Sequence, residues 1–264
     1  MNHWRERLSQ RSYLRIGHRG AGGLEPQNTW RAFKRAMDLG VDGVELDVRK
    51  TADGQLVVVH DEGLAESTNG QGLVHERTLA ELLRLDAGQG ERILTLDEAL
   101  DALAGKALIV VDLKIRDVED GVVQAVAAHG VQDDVLVCSL LPASLLRVRA
   151  LAPAILTAIS YPEDRGGASN KPYLAAAVSG VLAVMRATLP WRIGGMMDEA
   201  QADATMLYYK LITPSVVEAV HRRGGLIGAW TVDTPDSIAR MRAAGVDSIT
   251  SNRPDLLDDE RMSG

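Results

Sequence analysis

The sequence predicts an α/β fold, specifically a (β/α)8 or TIM barrel. Short runs rich in Val, Ile and Leu alternate with helical patterns along the whole chain, which is typical of parallel strands covered by helices. The chain has 264 residues, a common length for one such barrel. Several predicted helices are followed by a glycine, at Gly40, Gly130, Gly224 and Gly245, where helices commonly end.

The predicted elements are sufficient to close one barrel. Strands are expected near residues 14–18, 43–48, 108–114, 135–139, 155–160, 204–208, 226–231 and 248–251. Helices are expected at residues 29–39, 96–103, 118–129, 143–151, 174–188, 214–223 and 235–244. Because no linker separates these elements, we expect one catalytic domain over residues 1–264.

A small insertion is predicted after the second strand, at about residues 49–95, where the alternation is interrupted. It contains the turn-forming residues 67–70 and a short helical pattern near 79–85,. We expect this insertion to lie over one mouth of the barrel.

The insertion begins with a predicted β-hairpin. Asp53-Gly54 lies between two strand-like segments and is typical of a two-residue turn. If these two residues form the turn, Ala52 faces Gln55. Counting outward then places Asp47 opposite His60.

Composition excludes several classes of function. The 29 basic and 36 acidic side chains give a net charge of −7, which argues against a broad electrostatic interaction with nucleic acid. Cys138 is the single cysteine, so neither an internal disulfide nor a cysteine-only metal site can form. Its position inside an apolar run favours a buried thiol over a nucleophile.

The hydrophobic pattern predicts no stable membrane insertion. The longest apolar stretch, 174–185, is shorter than the roughly 18 residues that a spanning helix requires,. The N-terminal residues lack the apolar segment of a signal peptide,. We therefore expect a cytoplasmic protein, and the sequence leaves open whether it forms a homo-oligomer.

Three carboxylates are candidate metal ligands. Glu45 and Asp47 lie two residues apart in a predicted strand, so both point to one face, and each disfavours the other's charge unless a cation lies between them. A solvated strand face is the alternative interpretation. However, Asp112 and Lys114 end the next buried strand, and His60 lies across the hairpin. Oxygen ligands without cysteine favour Mg²⁺ or Ca²⁺ over structural zinc.

His18 and Arg19 end the first predicted strand, and barrel active sites lie at the carboxyl ends of strands. A lone histidine here would more often be structural. With His60 near the same carboxylates, a general acid/base pair is the better interpretation. Arg19 offers a planar fork for a phosphate, and its alternative role is an ion pair at the barrel rim.

These residues occur within an ordered set of motifs that resembles the glycerophosphodiester phosphodiesterase family. Single motifs are weakly specific, whereas the set follows the family's order over nearly the whole chain, except at about residues 160–205. The motifs are His18-Arg19-Gly20, Glu25-Pro26-Gln27-Asn28-Thr29, Gly43-Val44-Glu45-Leu46-Asp47-Val48, Val59-His60-Asp61, Thr68-Asn69-Gly70-Gln71-Gly72, Leu94-Thr95-Leu96-Asp97-Glu98, Asp112-Leu113-Lys114, Ala229-Trp230-Thr231-Val232 and Gly245-Val246-Asp247-Ser248-Ile249-Thr250.

The resemblance implies a TIM barrel that hydrolyses glycerophosphodiesters, as small-molecule substrates, to glycerol 3-phosphate and an alcohol. It also implies residue roles. These are metal ligands at Glu45, Asp47 and Asp112, an acid/base pair at His18 and His60, phosphate contacts at Arg19 and Lys114, and an aromatic near the substrate at Trp230. A core aromatic on the seventh barrel strand is the alternative for Trp230.

The sequence departs from the family's pattern at four positions. Gln27 replaces a usual Glu and removes one negative charge, and Asp112 replaces a commoner Glu and is one methylene shorter. Ser67 stands where an Arg is frequent, and Asn252 where an Asp is frequent. Since no implied ligand or acid/base residue is lost, we expect activity.

The mechanism implied by these groups needs no protein nucleophile. The glycerol hydroxyl next to the phosphate can attack it to form a cyclic phosphate, which water then opens. Such intramolecular attack reaches effective molarities of order 10⁵ M or more. One histidine would take the hydroxyl proton and the other would protonate the leaving alcohol. The sequence does not assign which does which.

Two alternatives remain at this stage. A phospholipase D-like activity on lysophospholipids would use the same barrel but would require an apolar entrance or a membrane-docking surface. A non-catalytic barrel that only binds phosphate esters would be consistent with the changes at Gln27 and Asp112.

Overall fold

The computed structural model describes residues 3–162 and 175–257. Within these ranges ten strands form one sheet: β1 Leu14–Gly17, β2 Gly43–Lys50, β3 Leu56–Val58, β4 Leu94–Thr95, β5 Leu108–Leu113, β6 Val135–Ser139, β7 Leu156–Tyr161, β8 Ala204–Tyr208, β9 Leu226–Trp230 and β10 Ser248–Ser251. The α-helices of the described part are α1 His3–Leu8, α2 Trp30–Asp38, α3 Leu79–Leu82, α4 Leu96–Leu103, α5 Glu119–Ala128, α6 Pro142–Leu151, α7 Ala175–Ala200, α8 Pro214–His221 and α9 Pro235–Ala244.

Eight of the strands close into a parallel barrel. Around the barrel the order is β1, β2, β5, β6, β7, β8, β9 and β10, and β1 pairs with both β2 and β10. Each neighbouring pair in this ring is parallel. This arrangement confirms the predicted (β/α)8 barrel. The predicted barrel strands agree with the observed ones to within one or two residues at each end.

Side chains that point into the barrel form two layers. Near the amino ends of the strands the interior is apolar, and we call this the lower layer; it contains Leu14, Ile16, Leu108, Val110 and Leu136. Trp4 of α1 packs into the same cluster and is 2% exposed. The upper layer, at the carboxyl ends, contains the charged residues described below. Alternate residues point outward and pack under the helices, as Val44, Leu46 and Val48 do,.

Local sequence explains where several helices begin and end. Thr29, Thr95, Thr213 and Thr234 each accept a hydrogen bond from a backbone N–H in the first turn of α2, α4, α8 and α9,. Gly245 has a φ of 80° and ends α9 in the left-handed conformation,.

The helix predicted at 174–188 is much longer than expected. Helix α7 has 26 residues and continues through Pro190 to Ala200, so the predicted C-terminal end was wrong. Leu189, Ile193 and Met197 are buried on one face, and this packing stabilises the helix despite the hydrogen bond that proline removes. Leu174, the first residue of the prediction, lies outside the described residues.

The hairpin register differs from the prediction by one residue. Val48 pairs with Val58 and Lys50 with Leu56, which places Asp47 opposite Val59 and not opposite His60. The turn has three residues because Thr51 N–H bonds to the carbonyl of Gln55. Gly54 adopts the required left-handed conformation at φ 80°,.

The rest of the insertion is a small packed unit. Strand β4 pairs with β3, and the predicted helix at 79–85 is observed as the shorter α3. The insertion has its own apolar cluster, which comprises Val57, Val59, Leu64, Val74, Leu82 and Ile93. Within the described residues, no helix combines the length and hydrophobicity needed to span a bilayer.

Candidate active site

The register between two barrel strands brings the three candidate metal ligands together. Asp47 on β2 lies opposite Asp112 on β5, and Glu45 is two residues earlier on β2, so all three point into the barrel. One oxygen from each carboxylate lies within 4.8 Å of the others. This geometry could hold a metal ion.

Two cations also contact this cluster. Lys114 Nζ is 2.9 Å from Asp47 Oδ1 and contacts Asp112 Oδ2. Arg19 Nε lies 3.2 Å from Asp47 Oδ2. Burial favours protonation of Asp47, but Lys114 and then Arg19 outweigh it and hold the pKa of this carboxyl below its usual range,. Asp47 therefore remains charged although it is fully buried.

The carboxylate cluster has more negative than positive charge, and this excess disfavours ionisation of Glu45. Three carboxylates against two cations leave one surplus negative charge, and Glu45 is 5% exposed. Burial and the adjacent Asp47 raise the pKa of Glu45 well above its usual value. A divalent cation would remove this cost, because it would neutralise the carboxylates and supply a hard partner for their oxygens. The residues present therefore fit a divalent metal.

Arg19 is held in place by three neighbours. Its backbone N–H donates to Glu45 Oε2 at 2.8 Å, and its guanidinium Nη1 donates to Gln27 Oε1 at 2.6 Å. Its backbone carbonyl accepts from Asn28 N–H at 3.0 Å. Gln27, a departure from the family's pattern, thus accepts a hydrogen bond from the guanidinium without adding a negative charge.

Sequence reasoning did not assign a role to Asn28. Its side-chain amide donates to Asp47 Oδ2 at 2.8 Å, and its backbone adopts a φ of 58°. Asparagine tolerates this left-handed conformation better than most residues. Its place between Gln27 and the helix-capping Thr29 was the available signal.

His18 is oriented by contacts on both ring nitrogens. Nε2 lies 3.8 Å from Glu45 Oε2, while Nδ1 is 2.7 Å from Asn252 Oδ1. Asn252 in turn donates through Nδ2 to Asp233 Oδ2 at 2.8 Å. Burial, followed by the charge of Arg19, lowers the pKa of His18 to about 4. His18 is therefore neutral at pH 7 in this environment.

The connection to Asp233 fixes the His18 tautomer. A carboxylate only accepts hydrogen bonds, so the Asn252 atom facing Asp233 must be the amide nitrogen. The oxygen of Asn252 then faces His18, and Nδ1 must carry the proton. Nε2 is left with a free lone pair directed at the carboxylate cluster. Asp233 was missed from the sequence because it lies far from His18 along the chain.

His60 has a different environment. It follows β3 on the hairpin, its Nδ1 is 2.8 Å from Asp61 Oδ1, and its backbone carbonyl accepts from Arg49 Nε at 2.9 Å. The hydrogen bond from His60 lowers the pKa of Asp61. His60 thus has a charged carboxylate behind its ring, whereas His18 has a neutral amide.

Three further residues lie at the edge of the site or do not contribute to it. Trp230 ends β9, donates from Nε1 to the carbonyl of Met206 at 2.9 Å and packs against Tyr208. Ser67 lines a small cavity beside His60. The Ser139 hydroxyl is buried and donates to the carbonyl of Leu113 at 3.1 Å.

Comparison with known proteins gives consistent results. The family model described as "Glycerophosphoryl diester phosphodiesterase family" matches residues 18–256. A glycerophosphodiester phosphodiesterase from Caldanaerobacter subterraneus subsp. tengcongensis is 34% identical over 258 residues, which cover 92% of this chain and 96% of the relative.

Solved structures show the same architecture. The glycerophosphodiester phosphodiesterase from Agrobacterium tumefaciens superposes with a TM-score of 0.72 at 28% identity and covers 92% of this chain and 98% of that one. A phosphodiesterase from Oleispira antarctica, solved with the product sn-glycerol-3-phosphate, has a TM-score of 0.75 at 23% identity and covers 93% and 97% of the two chains.

Proposed function

This chain belongs to the glycerophosphoryl diester phosphodiesterase family and is a phosphoric diester hydrolase, and we propose that its site converts glycerophosphodiesters to glycerol 3-phosphate and an alcohol. One observation carries the proposal: a buried carboxylate cluster with two cations lies beside a histidine whose unprotonated Nε2 faces the cluster. Attack on a phosphodiester requires positive charge beside the phosphoryl oxygens and a base for the attacking hydroxyl, and these groups could supply both.

Glu45, Asp47 and Asp112 would hold the divalent metal, Mg²⁺ or Ca²⁺. When bound, the metal supplies charge stabilisation to the phosphoryl oxygens. The support is the charge balance of the site. With a divalent ion bound to these three carboxylates, the site would have one surplus positive charge instead of one surplus negative charge, which would match the single negative charge of a phosphodiester.

Arg19 and Lys114 bind the phosphate in this proposal. Both cations are already within 3.2 Å of Asp47, so they are fixed before the substrate arrives. Burial lowers the pKa of Lys114, but Asp112 and then Asp47 outweigh it and raise the pKa above its usual value. Lys114 therefore remains charged. Fixed positive groups stabilise the charge on the equatorial oxygens without reorganising during the reaction.

His18 is the initial base. Its proton is on Nδ1, where Asn252 Oδ1 accepts it, so Nε2 can take the proton from the attacking hydroxyl. The Asn252–Asp233 pair fixes the ring orientation and the tautomer. An Asp at position 252, which is frequent in the family, would place a negative charge behind the ring instead.

His60 is the initial acid. The Asp61 carboxylate accepts a hydrogen bond from Nδ1 and holds the His60 ring in place. Its other nitrogen can then give a proton to the leaving alcohol. In the second step the roles reverse, because His60 takes a proton from water and His18 returns one to the glycerol oxygen.

The attacking group is the glycerol hydroxyl next to the phosphate. Its oxygen forms a bond to phosphorus as the bond to the leaving alcohol breaks, and a cyclic phosphate results. One protein hydroxyl and one protein thiol were considered as alternative nucleophiles, and both are in unsuitable positions. Ser139 Oγ is hydrogen-bonded to a backbone carbonyl, and Cys138 is buried with a raised pKa.

The nucleophile is tested by comparing a glycerol diester with its 2-deoxy analogue. We expect the 2-deoxy diester to be hydrolysed very poorly, since it presents the same anion but no neighbouring hydroxyl. ³¹P NMR should show a transient 1,2-cyclic phosphate, most readily in a slowed histidine variant. Equal rates for the two substrates would refute the two-step mechanism and indicate direct attack by water.

The two histidine roles are tested by changing the leaving group. A glycerol phosphodiester of 4-nitrophenol has a leaving group that needs no proton. On this substrate His60→Ala should lose much less activity in the first step than it loses on glycerophosphocholine. His18→Ala should lose similar activity on both. The opposite pattern would exchange the two roles.

A further inference from the structure

A small cavity lies where the insertion meets the mouth of the barrel. Its volume is about 10 Å³, close to the smallest space that holds one water molecule. Gln27, His60 and Ser67 are among the residues that line it. Val59 and Ile93 also line it and belong to the apolar cluster of the insertion. The cavity therefore combines apolar packing with side chains that can bond to a small polar molecule.

The Ser67 hydroxyl is the group in this cavity whose hydrogen bonding is unsatisfied. Its Oγ is buried and makes no hydrogen bond to any residue of the described part of the chain. By contrast, the adjacent Thr68 hydroxyl donates to the carbonyl of Leu64 at 2.7 Å and accepts from Gly70 N–H at 2.9 Å. Because a buried hydroxyl without a partner is unfavourable, Ser67 indicates an occupant that can bond to it.

Gln27 and His60 can each supply a further bond to the same occupant. Arginine only donates, so the Gln27 atom 2.6 Å from Arg19 Nη1 is the oxygen, and Nε2 is left as a donor,. The Nδ1 of His60 bonds to Asp61, which leaves Nε2 of the ring. With Ser67 Oγ these groups make three partners, and a buried water makes roughly two to four bonds.

The cavity borders the groups that would hold the phosphate. Gln27 bonds to Arg19, and Asn28, which also lines the cavity, donates to Asp47 Oδ2 at 2.8 Å. His60 is the proposed acid for the leaving alcohol. When attacking and leaving oxygens are in line with phosphorus, the water of the second step approaches from the side that the leaving alcohol has left. An occupant beside His60 is on that side.

We propose that this cavity binds the water molecule that opens the cyclic phosphate. The inference rests on the proposed function, since only the two-step reaction forms that intermediate. The water oxygen bonds to phosphorus while the bond from phosphorus to the second glycerol oxygen breaks. His60 Nε2 takes a proton from the water, and His18 Nε2 gives one to the glycerol oxygen. Ser67 Oγ and Gln27 Nε2 hold the water beside His60.

The charges of the lining residues favour water over an ion. Ser67 and Gln27 are two of the four departures from the family's pattern, and both lie in this cavity. They replace a frequent Arg and a usual Glu by neutral groups, and serine has a much shorter side chain than arginine. The pair thus leaves space for one small molecule and gives it hydrogen-bonding partners without a charge.

The test measures the two steps of the reaction separately. Release of choline from glycerophosphocholine reports the first step, and hydrolysis of glycerol 1,2-cyclic phosphate, followed by ³¹P NMR, reports the second. S67V removes the hydroxyl and fills the cavity. It should slow the second step by about tenfold or more, because the water is misplaced, while choline release stays within about threefold. The cyclic phosphate should then accumulate. S67A, which keeps the space, should slow the second step less.

Ile93→Val is the matched control, because it changes an apolar residue of the same cavity and removes no hydrogen-bonding group. The ratio of the two rates should be unchanged in this variant. A crystal structure of the parent protein should show one ordered water at about 2.5–3.0 Å from Ser67 Oγ, and S67V should displace it.

Three outcomes would overturn the proposal. These are opening of the cyclic phosphate by S67V at the parent rate, an equal loss of both steps in S67V and S67A, and a parent crystal structure with no water at Ser67 Oγ. Failure of the proposed function gives a different result. A parent protein that releases choline but does not hydrolyse glycerol 1,2-cyclic phosphate would refute the two-step reaction itself, and this inference with it.

Discussion

The lower and upper layers of the barrel interior have opposite chemistry although they are formed by the same strands. Strand β5 passes through both. Its inward residues are Leu108 and Val110, then Asp112, and Lys114 follows just after the strand. The change takes place within one two-residue step along the strand. Along β5, stability and the proposed chemistry are therefore divided between the two layers, and the division can be tested from both sides.

The largest effect is expected from removing the metal from the upper layer. Chelation should abolish turnover of glycerophosphocholine, and Mg²⁺ or Ca²⁺ should restore it, because the proposed stabilisation of the phosphoryl oxygens depends on the ion. The metal-free protein should also melt at a lower temperature, since ligand binding to the folded state stabilises it.

The chelation experiment is read by activity assay and calorimetry. A buffer exchange without chelator is the control. Full activity after exhaustive chelation would refute the assignment of Glu45, Asp47 and Asp112 as metal ligands.

The next effect in size concerns the two histidines. His18→Ala and His60→Ala should each lower turnover by roughly 10²–10⁴ with little change in stability, because both rings lie at the mouth of the barrel. His129→Ala is the matched control. Its ring pairs with Asp97 and Asp101 on the outer surface, so turnover should be unchanged. Normal turnover by His60→Ala would show that the hairpin carries no catalytic group.

A substitution in the lower layer should reduce stability and leave turnover almost unchanged, the reverse of the effect expected in the upper layer. Leu136 is 2% exposed and packs in the lower apolar cluster. Leu136→Ala should reduce the free energy of unfolding by about 2–5 kcal/mol through loss of burial and formation of a cavity. Turnover per folded molecule should remain within about twofold, because the upper layer is intact.

Urea unfolding measures the free energy of unfolding of Leu136→Ala, and an activity assay corrected for the folded fraction measures its turnover. Leu151→Ala on the surface should change stability by less than about 0.5 kcal/mol. A large loss of turnover in folded Leu136→Ala would show that the two layers are coupled.

The part of the upper layer that β2 and β5 form could be predicted from the sequence because it depends on local spacing. The two-residue period placed Glu45 and Asp47 on one face. A buried apolar run ending in Asp112 and Lys114 located the adjacent strand. Both inferences need only the chain neighbours of each residue, and the parallel register then brings the side chains together.

Contacts that depend on distant segments or on turn length could not be predicted. The hydrogen bond between His18 and Asn252 joins residues 234 apart, and Asp233 contributes only through that contact. The predicted hairpin register was wrong by one residue because Asp53-Gly54 also fits a three-residue turn. The length of α7 depends on tertiary packing around Pro190, which local propensity does not report.

Cys138 lies at the boundary between the layers, and only a small effect on turnover is expected from its substitution. It is opposite Asp112 in the register of β5 and β6, yet it packs in the lower apolar cluster and is 4% exposed. Burial raises the pKa of the thiol well above its usual value, and the negative charges of Asp112 and Glu45 add to this effect. The native thiol should therefore react with a disulfide reagent at pH 8 far more slowly than glutathione, and denaturant should restore the normal rate. Cys138→Ser should retain turnover within about threefold, since the substitution changes one buried atom and no residue proposed to contact the substrate. Rapid modification of the native protein, or loss of activity in a folded Cys138→Ser variant, would instead assign the thiol to the upper layer.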